Sequence, residues 1–355
     1  MKNLISIRMA ISGLIAVALL TACEKGGRSV SLLSEETNFS NAPTYEAVPQ
    51  KIDILWVVDN SGSMESSQTA LTSNFSRFIQ KFQTMNYDFR MAVTTTDAWV
   101  GQLYNQPSWL RLRDGADGRH SGVFVMNRAT PNLSDVFLTN ATQGISGSGD
   151  ERAFSSFQYV LNYAGNSDFR RPDAFLAVII VSDEDDFSAN TTTYLNNNYN
   201  DSRLIPVSYY KNYLDGFAGA GNYNVNAITI MDTACRDYLN ASSSGRRIGV
   251  RYIQLVDMTG GAKTSLCGDF GDSLQLISDT IISQRPANVD FKLGREPIES
   301  SIVVKLNGAV LAQDATNGWT YDTATWVVSL HGSAITAVQN GATVSIVYDP
   351  KYASH

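Results

Sequence analysis

The stretch Ile52 to Met64, IDILWVVDNSGSM, constrains the fold more than any other part of the chain. Ile52, Ile54, Leu55, Trp56, Val57 and Val58 make a short apolar run rich in β-branched and aromatic residues. The chain then turns polar at Asp59, Ser61 and Ser63, with Gly62 between the serines. A run of this kind, ended by turn residues, reads as a strand buried on both faces. Such strands belong to parallel sheets covered by helices. Ligand sites in open α/β sheets lie just beyond the carboxyl ends of the strands. Asp59, Ser61 and Ser63 occupy that place and offer only oxygen.

A second run, Ala174 to Val181 (AFLAVIIV), ends in Ser182-Asp183-Glu184-Asp185-Asp186. In a parallel sheet both runs end on one edge, and where they flank the point at which strand order reverses, Asp59 and Asp183 converge on one crevice. Carboxylates and hydroxyls without His or Cys select Mg²⁺, Ca²⁺ or Mn²⁺ over zinc or copper. Helix capping and turn formation are the plainer roles for the two aspartates. Glu184, Asp185 and Asp186 read as a solvated loop, with one member available to support the site from behind.

Between and after these runs the periodicity alternates. Leu71, Phe75, Phe78, Ile79 and Phe82 give Glu65 to Phe82 one apolar helical face. Phe89 to Val93 reads as a strand, Glu151 to Tyr163 as a helix, Val225 to Met231 as a strand and Arg251 to Val256 as a short helix. Lys263 to Leu266 reads as a last strand, and Ser273 to Ile282 as a helix with Asp272 as its cap. The expected architecture is a doubly wound, mainly parallel α/β sheet over residues 51–285. It carries insertions at about 97–149, with a short strand at Val123 to Met126, and 187–224, an Asn- and Tyr-rich stretch with the composition of either a solvated loop or a binding loop. After Pro286 helical spacing disappears. Asn307-Gly308 between short apolar runs is a hairpin signal, and Asn340-Gly341 marks another turn. Residues 288–355 therefore read as a small all-β, sandwich-like domain.

A chain of 355 residues suggests two domains, and 43% hydrophobic with 17% charged residues is enough for a real core. The net charge of −7 argues against a nucleic-acid partner. Lys2 and Arg8 before the apolar run Met9 to Leu20 make residues 1–22 a secretory signal. Residues 23–50 read as a flexible polar tether. Cys235 and Cys267 are an even pair in an exported chain, expected as a disulfide, with two free buried thiols as the alternative.

Two resemblances add to this reading. Leu20-Thr21-Ala22-Cys23 resembles the bacterial lipoprotein processing box, which implies cleavage before Cys23 and its acylation. Glu24 then implies the outer membrane if the source has two membranes. Asp59-x-Ser61-x-Ser63, the flanking strand and helix, the strand ending at Asp183 and the Gly260-Gly261 turn together resemble a von Willebrand factor type A domain with a metal-ion-dependent adhesion site, over roughly residues 50–284. That resemblance implies direct coordination of a divalent cation by Ser61 and Ser63, and direct or water-mediated coordination by Asp59 and Asp183. The family's usual threonine is replaced here by the loop Gly147-Ser148-Gly149-Asp150-Glu151. Spacing to the following helix favours Asp150 as donor, with Glu151 or Ser148 as substitutes. The implied function is cation-dependent binding of a protein, possessing an acidic side chain for the metal, by a membrane-anchored module and not an enzyme. A metal-dependent hydrolase using Asp59, Asp150 and Asp183, or an envelope scaffold with a structural metal, are the alternatives.

Overall fold

The computed structural model describes residues 35–39, 50–85, 87–195, 198–241, 244–284, 289–339 and 342–351. The signal segment, Cys23, most of the tether and the Asn340-Gly341 turn lie outside these. In chain order the elements are β1 (Glu35–Phe39), β2 (Gln50–Val58), α1 (Glu65–Thr84), β3 (Tyr87–Thr95), α2 (Trp99–Leu103), β4 (Gly115–Ala116), β5 (Arg119–His120), β6 (Met126–Asn127), α3 (Leu133–Ala141), α4 (Ala153–Asn162), β7 (Phe175–Ser182), α5 (Val207–Ala218), β8 (Tyr223–Thr229), α6 (Thr233–Asn240), α7 (Val250–Thr259), β9 (Lys263–Ser265) and α8 (Phe270–Gln284). There follow β10 (Val289–Lys292), β11 (Val303–Leu306), β12 (Ala309–Val310), β13 (Trp319–Asp322), β14 (Val327–Leu330), α9 (Ser333–Gln339) and β15 (Val344–Tyr348).

The larger unit is built on a six-stranded sheet in the order β6-β3-β2-β7-β8-β9. All its pairings are parallel except the short edge strand β6, which runs antiparallel to β3. The two-residue pleat of β2 explains why its run is continuously apolar. Ile52, Ile54, Trp56 and Val58 face one helical layer, with Leu71, Phe75 and Phe78 of α1 and Leu274, Ile277 and Ile281 of α8. Leu55 and Val57 face the other, with Phe154 and Phe157 of α4, Tyr210 of α5 and Leu255 of α7. Trp56 meets Phe78 and Phe137 edge-on, at centroid distances of 5.0 and 5.2 Å. Cys235 of α6 is bonded to Cys267, just past β9, as expected.

Strand order reverses between β2 and β7. Their register pairs Val58 with Val181, so Asp59 and Ser182–Asp183 leave the sheet side by side. This places the crevice where the two apolar runs implied.

The smaller unit has two antiparallel sheets, β1-β15-β11-β12 and β10-β14-β13. They enclose a core that includes Phe291, Val304, Trp319, Val328 and Ile346. Three expectations are corrected here. The unit is not all-β, because α9 contributes Ala334 and Ile335 to the core. The tether is not wholly irregular: Glu35–Phe39 form β1 and pair antiparallel with β15, since backbone hydrogen bonds make a ladder whatever the side-chain polarity. The Asn- and Tyr-rich insertion contains α5, whose Tyr210 and Leu214 are fully buried. At α8 the capping residue is Asp269, whose Oδ1 accepts the Asp272 N–H at 2.9 Å. Asp272 itself lies in the helix.

Candidate functional site

Two buried carboxylates belong to one strand and its exit, and their surroundings differ. Asp53, near the start of β2, is held by Arg170 at 3.2 Å and Arg171 at 2.8 Å. Asp59, at the other end, is fully buried and has only neutral donors. Its Oδ1 accepts the Ser61 N–H at 2.8 Å and its Oδ2 accepts the Ser182 hydroxyl at 2.7 Å. Burial, and then the charge of Asp183, push the Asp59 carboxyl well above its ordinary range.

The serines link the two aspartates. The Ser61 and Ser63 hydroxyls are 3.2 Å apart, and Ser63 donates to Asp183 Oδ1 at 3.0 Å. Asp183 Oδ2 accepts from Arg246 Nε at 2.9 Å. Asp59, Ser61, Ser63 and Asp183 therefore form one continuous oxygen cluster at the reversal point.

The third loop, residues 143–151, is drawn onto this cluster by its backbone. Gly147 N–H donates to the Asn60 carbonyl at 2.8 Å, and Ser148 N–H to Asp97 Oδ2 at 2.9 Å. A β-carbon on Gly147 would lie 2.7 Å from the Asn60 carbonyl oxygen, so the loops approach this closely only with glycine there. Gln68, from the first turns of α1, ties the same loops together. Its Nε2 donates to the carbonyls of Asp59 and Gly144, each at 2.9 Å, and its Oε1 accepts the Gln143 N–H at 3.0 Å.

Asp150 and Glu151 part ways. Asp150 Oδ2 accepts from Arg152 Nη2 at 2.5 Å and Nε at 3.1 Å. Arg152 is itself wholly buried. It stacks 3.9 Å over the Trp99 ring and donates to the carbonyls of Ala189, Thr191 and Thr193. Glu151, with no exposed surface, has no hydrogen-bond partner on either carboxylate oxygen among the described residues. Its carboxyl is raised well above the usual range by burial first, then by Asp59 and Asp97.

The acidic loop after β7 is not solvated. Glu184, Asp185 and Asp186 are all buried. Asp186 Oδ1 accepts the Phe154 N–H at 3.0 Å and so caps α4 from a distant loop, while its Oδ2 accepts from Arg251 at 3.1 and 3.2 Å. Asp185 Oδ1 accepts the Arg251 N–H at 2.9 Å. Glu184 Oε2 is buried without a partner, and burial, then Asp59 and Asp183, push its carboxyl up to about 8.

Sequence reasoning missed Gln68, Arg246 and Asn60. Gln68 is in phase with Leu71, Phe75 and Phe78, so a polar residue on the buried face of α1 was the signal that could have found it. Of the histidines, His120 bonds Asp114 and His331 bonds Thr320. Among the described residues, no group of three or more His, Cys, Asp or Glu side chains is gathered tightly enough to hold a metal by itself. Any cation at this edge would depend on the serine hydroxyls as well.

No protein-family model and no curated protein matches the chain. Among solved structures, it is similar to proximal thread matrix protein 1 of the mussel byssus, with a TM-score of 0.38 and 12% identity, covering 72% of this chain and 51% of that one. It is also similar to the pilus adhesin SpaC of Lactobacillus rhamnosus GG in its open conformation, with a TM-score of 0.37 and 13% identity, covering 88% of this chain and 39% of that one. The chain spans about half or less of the length of these proteins. Likenesses this distant carry no statement about function. Among the described residues no helix is long and apolar enough to cross a membrane.

Proposed function

We propose that this protein is a divalent-cation-dependent protein-binding module of the von Willebrand factor type A class, displayed outside the cytoplasm on a lipid anchor at Cys23, and not an enzyme. The observation that carries the reading is Glu151: a fully buried carboxylate whose two oxygens have no hydrogen-bond partner among the described residues and which feels the charges of Asp59 and Asp97. An uncompensated buried charge costs several kcal/mol, on the order of 3–5 when a partner is missing, so a site of this kind calls for a cation. Ser61, Ser63, Asp59 and Asp183 would hold Mg²⁺, or Ca²⁺ or Mn²⁺, with only hard oxygen donors, and Glu151 would reach it through water. In this reading Glu151 takes the role that spacing assigned to Asp150. Asp150 and Arg152 instead fix the direction in which Glu151 points. When bound, the cation supplies a Lewis-acidic position for one acidic side chain of a partner.

The rim of the crevice supports a protein partner. Tyr194 and Tyr104 are about half exposed, at 47% and 49%, and Ile145 is 44% exposed. A β-carbon on Gly149 would come within 3.2 Å of the Tyr194 hydroxyl, and Tyr104 donates to the Thr192 carbonyl at 3.1 Å. Exposed tyrosines beside a polar centre are contact chemistry suited to binding. The test is titration of Mg²⁺, Ca²⁺ and Mn²⁺ into wild type and Asp59→Ala while following the melting temperature. Stabilisation of wild type alone is expected, and an equal response of both proteins would sink the reading.

A further inference from the structure

A cleft of about 370 Å³ opens beside the carboxylate cluster and has the opposite charge. Arg236, Arg247 and Arg251 line it, with Asp185, Tyr199 and Val250. It is continuous with the site through the backbone, because Arg247 N–H donates to the Asp183 carbonyl at 3.1 Å.

The three arginines are not equally committed. Arg251 is held by Asp186 and the Ile205 carbonyl. Among the described residues the Arg236 guanidinium pairs only with Asp237, its exposed neighbour in sequence. Arg247 donates to the Arg246 carbonyl through Nη1 and makes no ion pair within the molecule's described residues. The one carboxylate in the lining, Asp185, already accepts backbone N–H groups from Asp186 and Arg251. The amino end of α7 is already capped by Asp185 through the Arg251 N–H, so the attraction for an anion rests on the guanidinium groups. On a chain with net charge −7, a cleft of positive sign is a selective feature.

The cleft is not purely polar. Val250 is 60% exposed at its mouth, and Ile248 and Tyr199 extend the apolar surface. A free anion or an acidic sugar gains nothing from these groups. A peptide carrying acidic and apolar side chains gains from both.

We infer that this arginine-lined cleft is a second subsite for the protein partner, taking an acidic segment whose carboxylates meet Arg247 and Arg236 and whose apolar side chains cover Val250. The partner's being a protein rests on the function proposed above. The subsite also answers a difficulty of that site. A crevice holding Asp59, Asp183 and Glu151 is rich in negative charge and by itself attracts an acidic partner weakly. The adjacent guanidinium groups supply the attraction.

The experiment is fluorescence anisotropy on the full chain with a labelled octapeptide of alternating aspartate and leucine, in Mg²⁺ and in EDTA. The same octapeptide with asparagine for aspartate is the control. The cleft is read from the EDTA arm, where a cation plays no part, so its failure is distinct from failure of the cation site. Arg236→Gln/Arg247→Gln is expected to weaken binding about 10-fold or more, as loss of charge-assisted contacts implies, while Arg119→Gln leaves it unchanged. An unaltered melting temperature and Mg²⁺ response in the double variant would show that folding and the cation site are intact. Undiminished binding by the double variant, equal binding of the asparagine peptide, or tighter binding of a uronic-acid oligosaccharide than of the peptide would each overturn the proposal.

Discussion

Asp150 and Glu151 are consecutive, and neither has exposed surface. Asp150 is ion-paired with Arg152 at 2.5 Å, whereas Glu151 has no partner on either oxygen. One of the two is tied into the scaffold by an ion pair, and the other is buried without a counterion among the described residues.

Exchanging the two acids should have opposite effects. Glu151→Gln replaces a carboxyl that burial already holds toward its protonated form, so the metal-free protein should be little changed, while its stabilisation by Mg²⁺ is lost. Asp150→Asn leaves the wholly buried Arg152 without its carboxylate and should cost about 3–5 kcal/mol. Urea unfolding of both variants, with and without Mg²⁺, checks the contrast. Matching losses of stability in the two would remove the distinction.

The metal-free protein should lose stability as pH rises. Burial and neighbouring charges raise Glu184 to about 8 and Asp185 to about 7, and they also raise Asp59 and Glu151. In the unfolded chain such groups titrate near 4. The folded state therefore binds more protons than the unfolded state between about pH 4 and pH 8, and stability falls as pH climbs through that window. Cation affinity should rise over the same interval as the carboxylates ionise. Melting temperatures from pH 4.5 to 8.5 in EDTA and in Mg²⁺ would record both trends; a flat EDTA profile would contradict them.

Gly147→Ala should loosen the site without touching a carboxylate. The added methyl meets Asn60 at 2.7 Å and separates the loops that carry Asp59 and Glu151. A cost of about 1–3 kcal/mol is expected, with a larger proportional loss of Mg²⁺ affinity by calorimetry.

Reducing the Cys235–Cys267 bond opens a loop of 32 residues' separation. Loop-closure entropy puts the loss at about 3–4 kcal/mol. Cys235→Ser/Cys267→Ser should therefore unfold at lower urea, and its remaining folded fraction should still respond to Mg²⁺, because the bond lies outside the oxygen cluster.

Much of the α/β unit was legible because its strands are buried on both faces. Ile52–Val58 and Ala174–Val181 have no polar face to disguise them, and Asp59 and Asp183 fall where such strands must end. What stayed hidden depended on distant partners. Spacing to α4 favoured Asp150 over Glu151, and the feature that sets them apart, the ion pair of Asp150 with Arg152 locked under the 189–193 backbone, depends on a distant segment. Glu184–Asp185–Asp186 has the composition of a solvated turn. It is buried because α4 and Arg251 supply its hydrogen bonds from elsewhere in the chain. α9 is short and sits among strand signals, so its periodicity was too brief to register.

The pairing of β1 with β15 bears on where this protein can be cut. In the order β1-β15-β11-β12, β15 is an interior strand only because Glu35–Phe39 cover one of its sides. A fragment beginning at Gln50 keeps every strand of the larger sheet, yet turns Val344–Tyr348 into an open edge whose free amide and carbonyl groups invite pairing with another chain. Glu35–Phe39 thus act as a guard against self-association.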